Sequence, residues 1–568
     1  MDARVWHRAY QDGVPAGIEF EPRPLDRWLQ RTVERAPDHT AMLFLNARLT
    51  YRQLHEDVER MAAALAEIGV GKGTRVAIQM PNLPQLVIGY YATLRLGGVV
   101  VMTNPIYMPD EIVHQWNDAG VEVALVMDFL FEQKLEHIRD QLPVKHYVLA
   151  SIPEYLRFPM RQLAPFKLKR RNPPAIAQVA PTENVHIFRE FLRAAEEAPP
   201  EPCSEIDDLA VLQYTGGTTG LSKGAMLTHR NLGYNCQQMA AWFPDLEWGT
   251  EVVMAALPLF HVFGMTISMN WAVWTGSAMV LQTDPRGIES IVRGIARHKV
   301  TLLPAVPAMF NAINNFPGIE KIDVSSVKCC FSGSAPLPRE VLERFEELTG
   351  AKIAEGFGMS ETSPVTHANP IGGERKIGSV GVPVPDTDVR IADPENGYAT
   401  VPPGTEGELL IRGPQVMQGY WHQSEETSRV LRNGWLHTGD LAVMDEDGYF
   451  KIVGRTKDMI NCSGFKVYPD EVDHVLMAHD AVLETATIGI PCPKRGETVK
   501  SFVVLRSDHA VTAENLQTYC RDHLASYKVP REIEFLTELP KSAVLKILRR
   551  ELRAREEEKL RQPSQEAG

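Results

Sequence analysis

Apolar residues recur three and four positions apart from Tyr51 onward. Leu54, Val58, Met61, Ala62, Leu65 and Ile68 share one face, which predicts a helix over 51–70. Residues 76–78 then read as a short buried strand, 83–96 as a helix, Val99–Met102 as a strand, 111–118 as a helix and 121–127 as a strand. Strands alternating with helices predict a parallel sheet covered on both faces. The same rhythm returns after residue 285. From about 380 the texture changes to short β runs separated by Pro and Gly, such as Gly407-Glu-Leu-Leu-Ile-Arg412, which predict a small β-barrel subdomain. After Gly454 comes a compact α+β pattern, with helices near 470–478 and 513–524 and strands near 484–490 and 499–505. The expected fold is therefore α/β. A large N-terminal domain of parallel βαβ sheets spans 1–454, a hinge 455–458, and a small mobile α+β domain 459–568. No internal repeat is evident.

A chain of 568 residues exceeds what one core can organise. At 44% hydrophobic and 23% charged it is ordinary for a globular protein. The net charge of −13 argues against a nucleic-acid partner, because a phosphate backbone would be repelled. Seven cysteines with no C-x-x-C pair fit a reducing compartment and argue against a disulfide framework or a zinc ribbon. The first residues carry charges and no apolar run, and the terminal Glu-Ala-Gly is no retention or peroxisomal address, so a cytoplasmic location is expected. Residues 262–283 carry no formal charge and are long enough to span a bilayer. Ser268, Asn270, Thr275 and two glycines dilute them, and a buried helix running into a strand is expected instead.

Residues 155–182 contain no acid. Arg157, Arg161, Lys167, Lys169, Arg170 and Arg171 alternate there with Phe158, Leu163, Phe166 and Leu168. Two readings stand. Such a patch on an acidic protein suits the anionic headgroups of an inner membrane surface. With Pro159, Pro165, Pro173 and Pro174, it also suits a solvated linker.

The strongest chemical signal is Tyr214-Thr-Gly-Gly-Thr-Thr-Gly-Leu-Ser-Lys-Gly224, which follows the apolar run Leu209-Ala-Val-Leu212. Glycines let backbone N–H groups approach an anion, the threonines add hydroxyl donors, and Lys223 adds a charge. This is the composition of a phosphate cradle, with a flexible glycine-rich surface loop as the lesser reading. It is not a Walker A loop, which needs Gly-Lys-Ser/Thr in sequence. The stretch, with its continuation Ala225-Met-Leu-Thr-His-Arg-Asn231, closely resembles the phosphate-binding motif of the adenylate-forming superfamily. That superfamily includes acyl-CoA synthetases, peptide-synthetase adenylation domains and luciferases. Asn433-Gly-Trp-Leu-His-Thr-Gly-Asp-Leu-Ala-Val-Met-Asp-Glu-Asp-Gly-Tyr-Phe-Lys-Ile-Val-Gly-Arg-Thr-Lys-Asp458 resembles the signature of fatty acyl-CoA synthetases, bacterial long-chain enzymes above all.

The resemblance implies a set of roles. Thr215, Gly216, Gly217, Thr218, Thr219 and Lys223 would hold the ATP phosphates. Glu361 and Thr218 would hold Mg²⁺, a hard cation that keeps some of its waters. Ser360 stands where the family usually has threonine. Gly333, Ser334, Ala335 and Gly358 would border the adenine, with Phe357 stacking on it, although a buried phenylalanine is often plain core. Asp440 and Arg455 would clamp the ribose. His261 would lie near the substrate carboxylate, and Lys546 would bridge that carboxylate and the α-phosphate. Lys457 would be the hinge about which the last domain turns. Turning would bring Ser463 and Gly464 to the CoA arm and Lys466 to the adenylate phosphate. Leu545 departs from the pattern, since the family has glycine directly before the lysine. If that position has positive φ, leucine would misplace Lys546 or cost about 1–2 kcal/mol. Lys541 offers a second cation, out of register.

The acid pocket is expected among Met239, Trp242, Phe243, Met265, Met269, Trp271, Trp274, Pro304, Val306 and Met309, apolar walls that suit an alkyl chain and equally an ordinary core. No acidic residue stands out there to fix an amino group. The resulting expectation is ATP-dependent ligation of a medium- or long-chain fatty acid to CoA through an acyl-adenylate. The alternatives are a ligase for aryl or branched acids and a weakened acyl- or nucleotide-binding homologue. Fatty acid, ATP and CoA are the expected partners, and the oligomeric state stays open, a homodimer included.

Overall fold

The structure, a computed structural model, describes residues 4–195, 197–215, 222–394, 396–455, 458–462, 465–492, 496–506, 509–543 and 545–561. The first predicted helix forms over Tyr51–Glu67. It starts at Thr50, whose hydroxyl accepts from Gln53 N while the Gln53 side chain accepts from Thr50 N, a reciprocal cap. Pro84 and Pro109 open the next two helices, where a missing N–H costs nothing, and Gly120 closes the second of these in the left-handed conformation.

Seven strands form the first sheet, in the order Val185–Ile187, His146–Ala150, Val123–Met127, Arg75–Gln79, Val99–Met102, Leu209–Thr215, Lys223–Thr228. All pairs are parallel except the last. Alternate residues feed different cores: Val76 and Ile78 join the larger one, Ala77 the smaller. Both faces are thus covered, as a parallel sheet requires. A nine-stranded sheet has Val252–Ala255, Ala278–Leu281, Leu302–Ala305, Cys329–Ser332 and Lys352–Gly358 among its strands. Residues 262–275 are a buried helix with a π-helical turn at Met265–Asn270, and they run into the strand Ala278–Leu281 as expected. Among the described residues no helix is long and apolar enough to cross a membrane.

From Asp388 to Arg455 a six-stranded antiparallel sheet forms the β-subdomain. The main core runs from Trp6 to Phe450. Beyond it a five-stranded sheet with helices Pro469–Met477 and Ala513–His523 packs on two small cores of its own, one from Ile460 to Val529 and one from Ala486 to Leu552.

Segment 155–182 is part helix and part irregular, largely exposed backbone. Met160–Lys169 is a helix that buries Ala164 and Leu168 and turns the opposite side outward. Phe158, Leu163 and Phe166 are 78%, 57% and 69% exposed, values that set them among the few large apolar side chains left in water.

Candidate active site

The strand Leu209–Thr215 and its antiparallel return Lys223–Thr228 pair Thr215 with Lys223 at their tips. Gly216, Gly217, Thr218 and Thr219 lie between them, outside the described residues. The return strand also pairs on its other side: Met226 N donates to Gly419 O and Trp421 N to Gly224 O. This brings Tyr420 under Lys223, whose Nζ lies 5.5 Å from the ring centroid and 2.5 Å from Glu426 Oε1. Tyr420 Oη donates to Glu361 Oε1 at 2.8 Å, and Met417 N donates to Glu361 O. Burial, with the Glu361 charge, pushes the Tyr420 phenol well above its usual range, so it remains a donor.

The loop Gly333-Ser-Ala335 leaves the strand Cys329–Ser332, with Ser334 in the left-handed conformation at φ 73°. Leu337 N donates to the buried Glu355 Oε1 at 3.1 Å, which ties this loop to the neighbouring strand. Burial pushes Glu355 up to about 7. Phe357, on the same strand, is half-buried at the rim and meets His367 edge-on at 6.0 Å. A β-carbon on Gly358 would lie 2.0 Å from Pro364 O, so backbone packing alone demands glycine there. Ser360 opens the short 3₁₀ turn that carries Glu361.

His261 stands on a turn pinned from two sides. Asn82 Nδ2 donates to Ala255 O and Leu257 O while Leu259 N donates to Asn82 Oδ1, and Gln213 Nε2 donates to Phe260 O. His261 Nδ1 accepts from Phe263 N at 3.3 Å, which assigns the ring proton to Nε2. Burial, then the Lys546 charge, lowers its pKa to about 4, so the ring is neutral near pH 7. A narrow cleft lies against His261, Phe263, Gly264, Val306 and Ser334. Of the ten residues expected to line an acid pocket, Val306 alone borders this cleft. Met239, Trp242, Met265, Met269, Trp271 and Met309 are sealed in the main core because their helices pack against each other.

Strands Trp435–Met444 and Phe450–Arg455 set Asp440 opposite Arg455, whose Nε donates to Asp440 Oδ1 at 2.8 Å. Asp440 Oδ2 is buried with no hydrogen-bond partner among the described residues, an acceptor suited to a ribose hydroxyl. Burial pushes the Asp440 carboxyl up, and Arg455 and Lys546 push it back down. Lys546 thus lies within electrostatic reach of Asp440, Arg455 and His261 together. The residue as a whole is exposed, while surrounding protein, then Arg455, lowers the ammonium pKa and Asp440 raises it. Leu545 has φ 58°, the conformation that glycine would occupy freely, yet Lys546 remains within charge reach of Asp440, Arg455 and His261. Lys541 is committed to Glu484. Lys457, Ser463 and Gly464 lie outside the described residues. Lys466 is exposed on the strand Phe465–Val467, opposite Asn461.

The AMP-binding enzyme model matches residues 29–421, and the AMP-binding enzyme C-terminal domain model matches residues 471–546. This chain belongs to the AMP-binding enzyme family. Among curated relatives, the long-chain-fatty-acid–CoA ligase of Bacillus subtilis is 42% identical over 558 residues, 98% of each chain. That of an Escherichia coli O6:H1 strain is 41% identical over 97% of this chain and 98% of its own. Among solved structures, an anthranilate CoA ligase in complex with anthranoyl-AMP superposes with a TM-score of 0.84 at 27% identity, over 95% of this chain and 98% of that one.

In this AMP-binding enzyme the structure brings Lys546, Asp440, Arg455 and His261 together, and sets Lys223 and Glu361 on the two sides of Tyr420. Sequence reasoning passed over Tyr420, Glu426, Asn82 and Gln213. Tyr420 and Glu426 lie 203 residues or less from their partners but touch them only through the pairing of residues 418–421 with the strand after the glycine loop. No spacing rule carries that signal.

Proposed function

We propose that this AMP-binding enzyme joins a medium- or long-chain fatty acid to coenzyme A. The carboxylate attacks the α-phosphorus of ATP, pyrophosphate leaves, and the CoA thiol then attacks the acyl carbonyl as AMP leaves. The observation that carries the reading is that Lys546 lies within charge reach of both His261, on the wall of the cleft, and the Asp440–Arg455 pair. Lys546 faces the point where charge builds as carboxylate and phosphate meet, a term worth roughly 3 kcal/mol or more. His261 Nε2–H donates to the carboxylate, Asp440 Oδ2 accepts from the ribose, and Lys223 with 215–219 holds the outer phosphates. Lys466, Ser463 and Gly464 serve the thiol step, and the joint between the two domains is at 455–458, with Lys457 as hinge.

Glu361 and Thr218 are the proposed holders of Mg²⁺. Among the described residues there is no cluster of three or more metal-ligating side chains, and one carboxylate beside substrate phosphates is how Mg²⁺ is commonly held. When bound, the ion neutralises phosphate charge.

The 40%-range identity to long-chain ligases over the whole chain supports an alkyl substrate. The likeness to an anthranilate ligase favours aryl acids as the second reading, and the left-handed Leu545 favours slow turnover as a third. Acid-dependent ATP–pyrophosphate exchange with Mg²⁺ tests them together. Exchange that peaks with a fatty acid of eight or more carbons, on the order of an alkyl tail that a mostly apolar pocket prefers, is the expected outcome. A peak with benzoates overturns the substrate, and no exchange with any acid overturns the activity.

We also infer that the helix Met160–Lys169 meets an anionic lipid surface, where the fatty acid is delivered. Its outward apolar side chains and six neighbouring cations, on a chain of net charge −13, support that partner.

A further inference from the structure

Lys546 reaches the cleft on a tight hairpin. Lys541 pairs with Ile547, Ser542 N donates to Lys546 O at 2.8 Å, and Leu545 N closes a turn onto Ser542 O at 2.9 Å. Three residues separate Ser542 from Lys546, and loops of this length end on a residue in the left-handed conformation. Leu545 occupies that position at φ 58°. A β-carbon is disfavoured there. The strain is internal to the hairpin and is the same wherever the C-terminal domain sits.

What Leu545 adds is a contact between domains. The main core, Trp6 to Phe450, is flanked by partly buried apolar side chains up to Ile452, and beyond that by Leu545 alone among the described residues. The C-terminal domain keeps its own two cores. The other side chains at the seam are polar or amphipathic: Tyr468 donates to Glu406 and lies against Gly454, Arg550 lies within charge reach of Tyr107, Tyr519 within that of Glu340, and Lys546 within that of Asp440 and Arg455. Meanwhile Arg549, three residues after Lys546, is locked to Asp470 and Asp473 of its own domain, with 2.6 Å to Asp473 Oδ2. The hairpin therefore moves as one piece with its domain. Domains with separate cores and a largely polar seam reorient by default. In this arrangement, with Lys546 within charge reach of Asp440 and Arg455, Leu545 is half-buried against the main core, and a rotation that withdraws the hairpin breaks that contact.

We propose that Leu545 is a positioning residue, a one-side-chain latch that holds the C-terminal domain over the cleft during acid activation and must release before a thiol reaches the acyl carbonyl. A glycine at this position would relieve the backbone and provide no latch. The strain is thus accepted in exchange for a bias between the two half-reactions: activation is favoured, and the step towards the thioester is held back.

The inference rests on the ligase reading for its second half-reaction. Two rates are compared: ATP–pyrophosphate exchange, and thioester formation from supplied acyl-AMP and CoA. Both are measured with whichever carboxylic acid the parent enzyme activates, so a wrong chain-length assignment leaves the test intact. Leu545→Ala keeps the β-carbon and its strain but removes the contact. Releasing half a buried leucine is expected to shift the ratio of the two rates about five-fold towards the thioester step. Leu545→Met keeps an apolar contact and should retain the parent ratio. Leu545→Gly, which fits the hairpin and guards against a folding defect, should shift the ratio like Leu545→Ala while melting at a higher temperature. A merely structural role lowers both rates together. An unchanged ratio in both Leu545→Ala and Leu545→Gly, whatever the absolute rates, overturns the proposal.

Discussion

Removing the two outermost rings of the helix Met160–Lys169 region, as Phe158→Ala with Phe166→Ala, should detach the enzyme from anionic vesicles. The magnitude follows from exposure. Phe158 and Phe166 are 78% and 69% exposed, so nearly all their apolar surface is available to a lipid interface. Full burial of a phenylalanine is worth about 2 kcal/mol, so the pair contributes about 3 kcal/mol, roughly 150-fold in partitioning; half-depth insertion gives roughly 10-fold. The cations Arg161, Lys167, Lys169, Arg170 and Arg171 contribute on the order of 1 kcal/mol each near a charged surface, and this part should fade with salt. The assay is co-sedimentation with phosphatidylglycerol–phosphatidylcholine vesicles, using pure phosphatidylcholine and high salt as comparisons. Both phenylalanines are largely exposed and neither lines the cleft at His261, so exchange activity with a short, soluble acid should persist. Equal binding of parent and double variant, or binding indifferent to lipid charge, refutes the reasoning.

Lys546→Ala should reduce exchange by roughly 100-fold, from loss of about 3 kcal/mol of pre-aimed charge, while thioester formation from supplied acyl-AMP persists; equal loss of both contradicts the assignment. Asp440→Asn removes the charge that pairs with Arg455 and should raise the KM for ATP about 30-fold, the cost of a broken buried charge-assisted bond, and an unchanged KM would remove Asp440 from the nucleotide site. Glu426→Gln frees Lys223 from a competing carboxylate and should tighten ATP binding by up to about five-fold, the range of a partly exposed pair; weaker binding in calorimetry would mean that Glu426 supports the cradle instead. Glu355, raised by burial from 4.5 to about 7, holds its proton when folded and releases it when unfolded, so stability falls as pH rises between those values. Glu355→Gln should therefore exceed the parent by about 3 kcal/mol in denaturation at pH 8 and match it near pH 4, and a gap independent of pH would contradict this.

The alternation of helix and strand periods was legible because each element of the first sheet buries both faces, which leaves an unbroken apolar run between polar helix faces. Val76, Ile78 and Ala77 feed two different cores, and the run of three apolar residues is the imprint of that arrangement. The helix over 51–70 ends earlier, at Glu67, because Gly69 turns left-handed at φ 91°. The acid pocket was less legible for a physical reason. Methionine and tryptophan side chains suit a tunnel wall and a sealed core equally, and only packing decides; here it seals Met239, Trp242, Met265, Met269, Trp271 and Met309 in the core and leaves Val306 against the cleft.

Site residues divide the same way. Asp440 and Arg455 were readable because a hairpin carries both within one continuous motif, and their pairing at 2.8 Å is the register of that hairpin. Tyr420 and Glu426 were not, since their partners Glu361, on a 3₁₀ turn, and Lys223, on the return strand, are distant in sequence and meet only where 418–421 docks beside that strand. Leu545 lies between these cases. Sequence exposes it as a bulky residue where the hairpin wants glycine, which reads as a defect. Structure adds that its side chain is the apolar tie to the other domain's core. A strained residue that stabilises one of two arrangements is a setting of their balance, and its energetic effect is invisible until both surfaces it can meet are known.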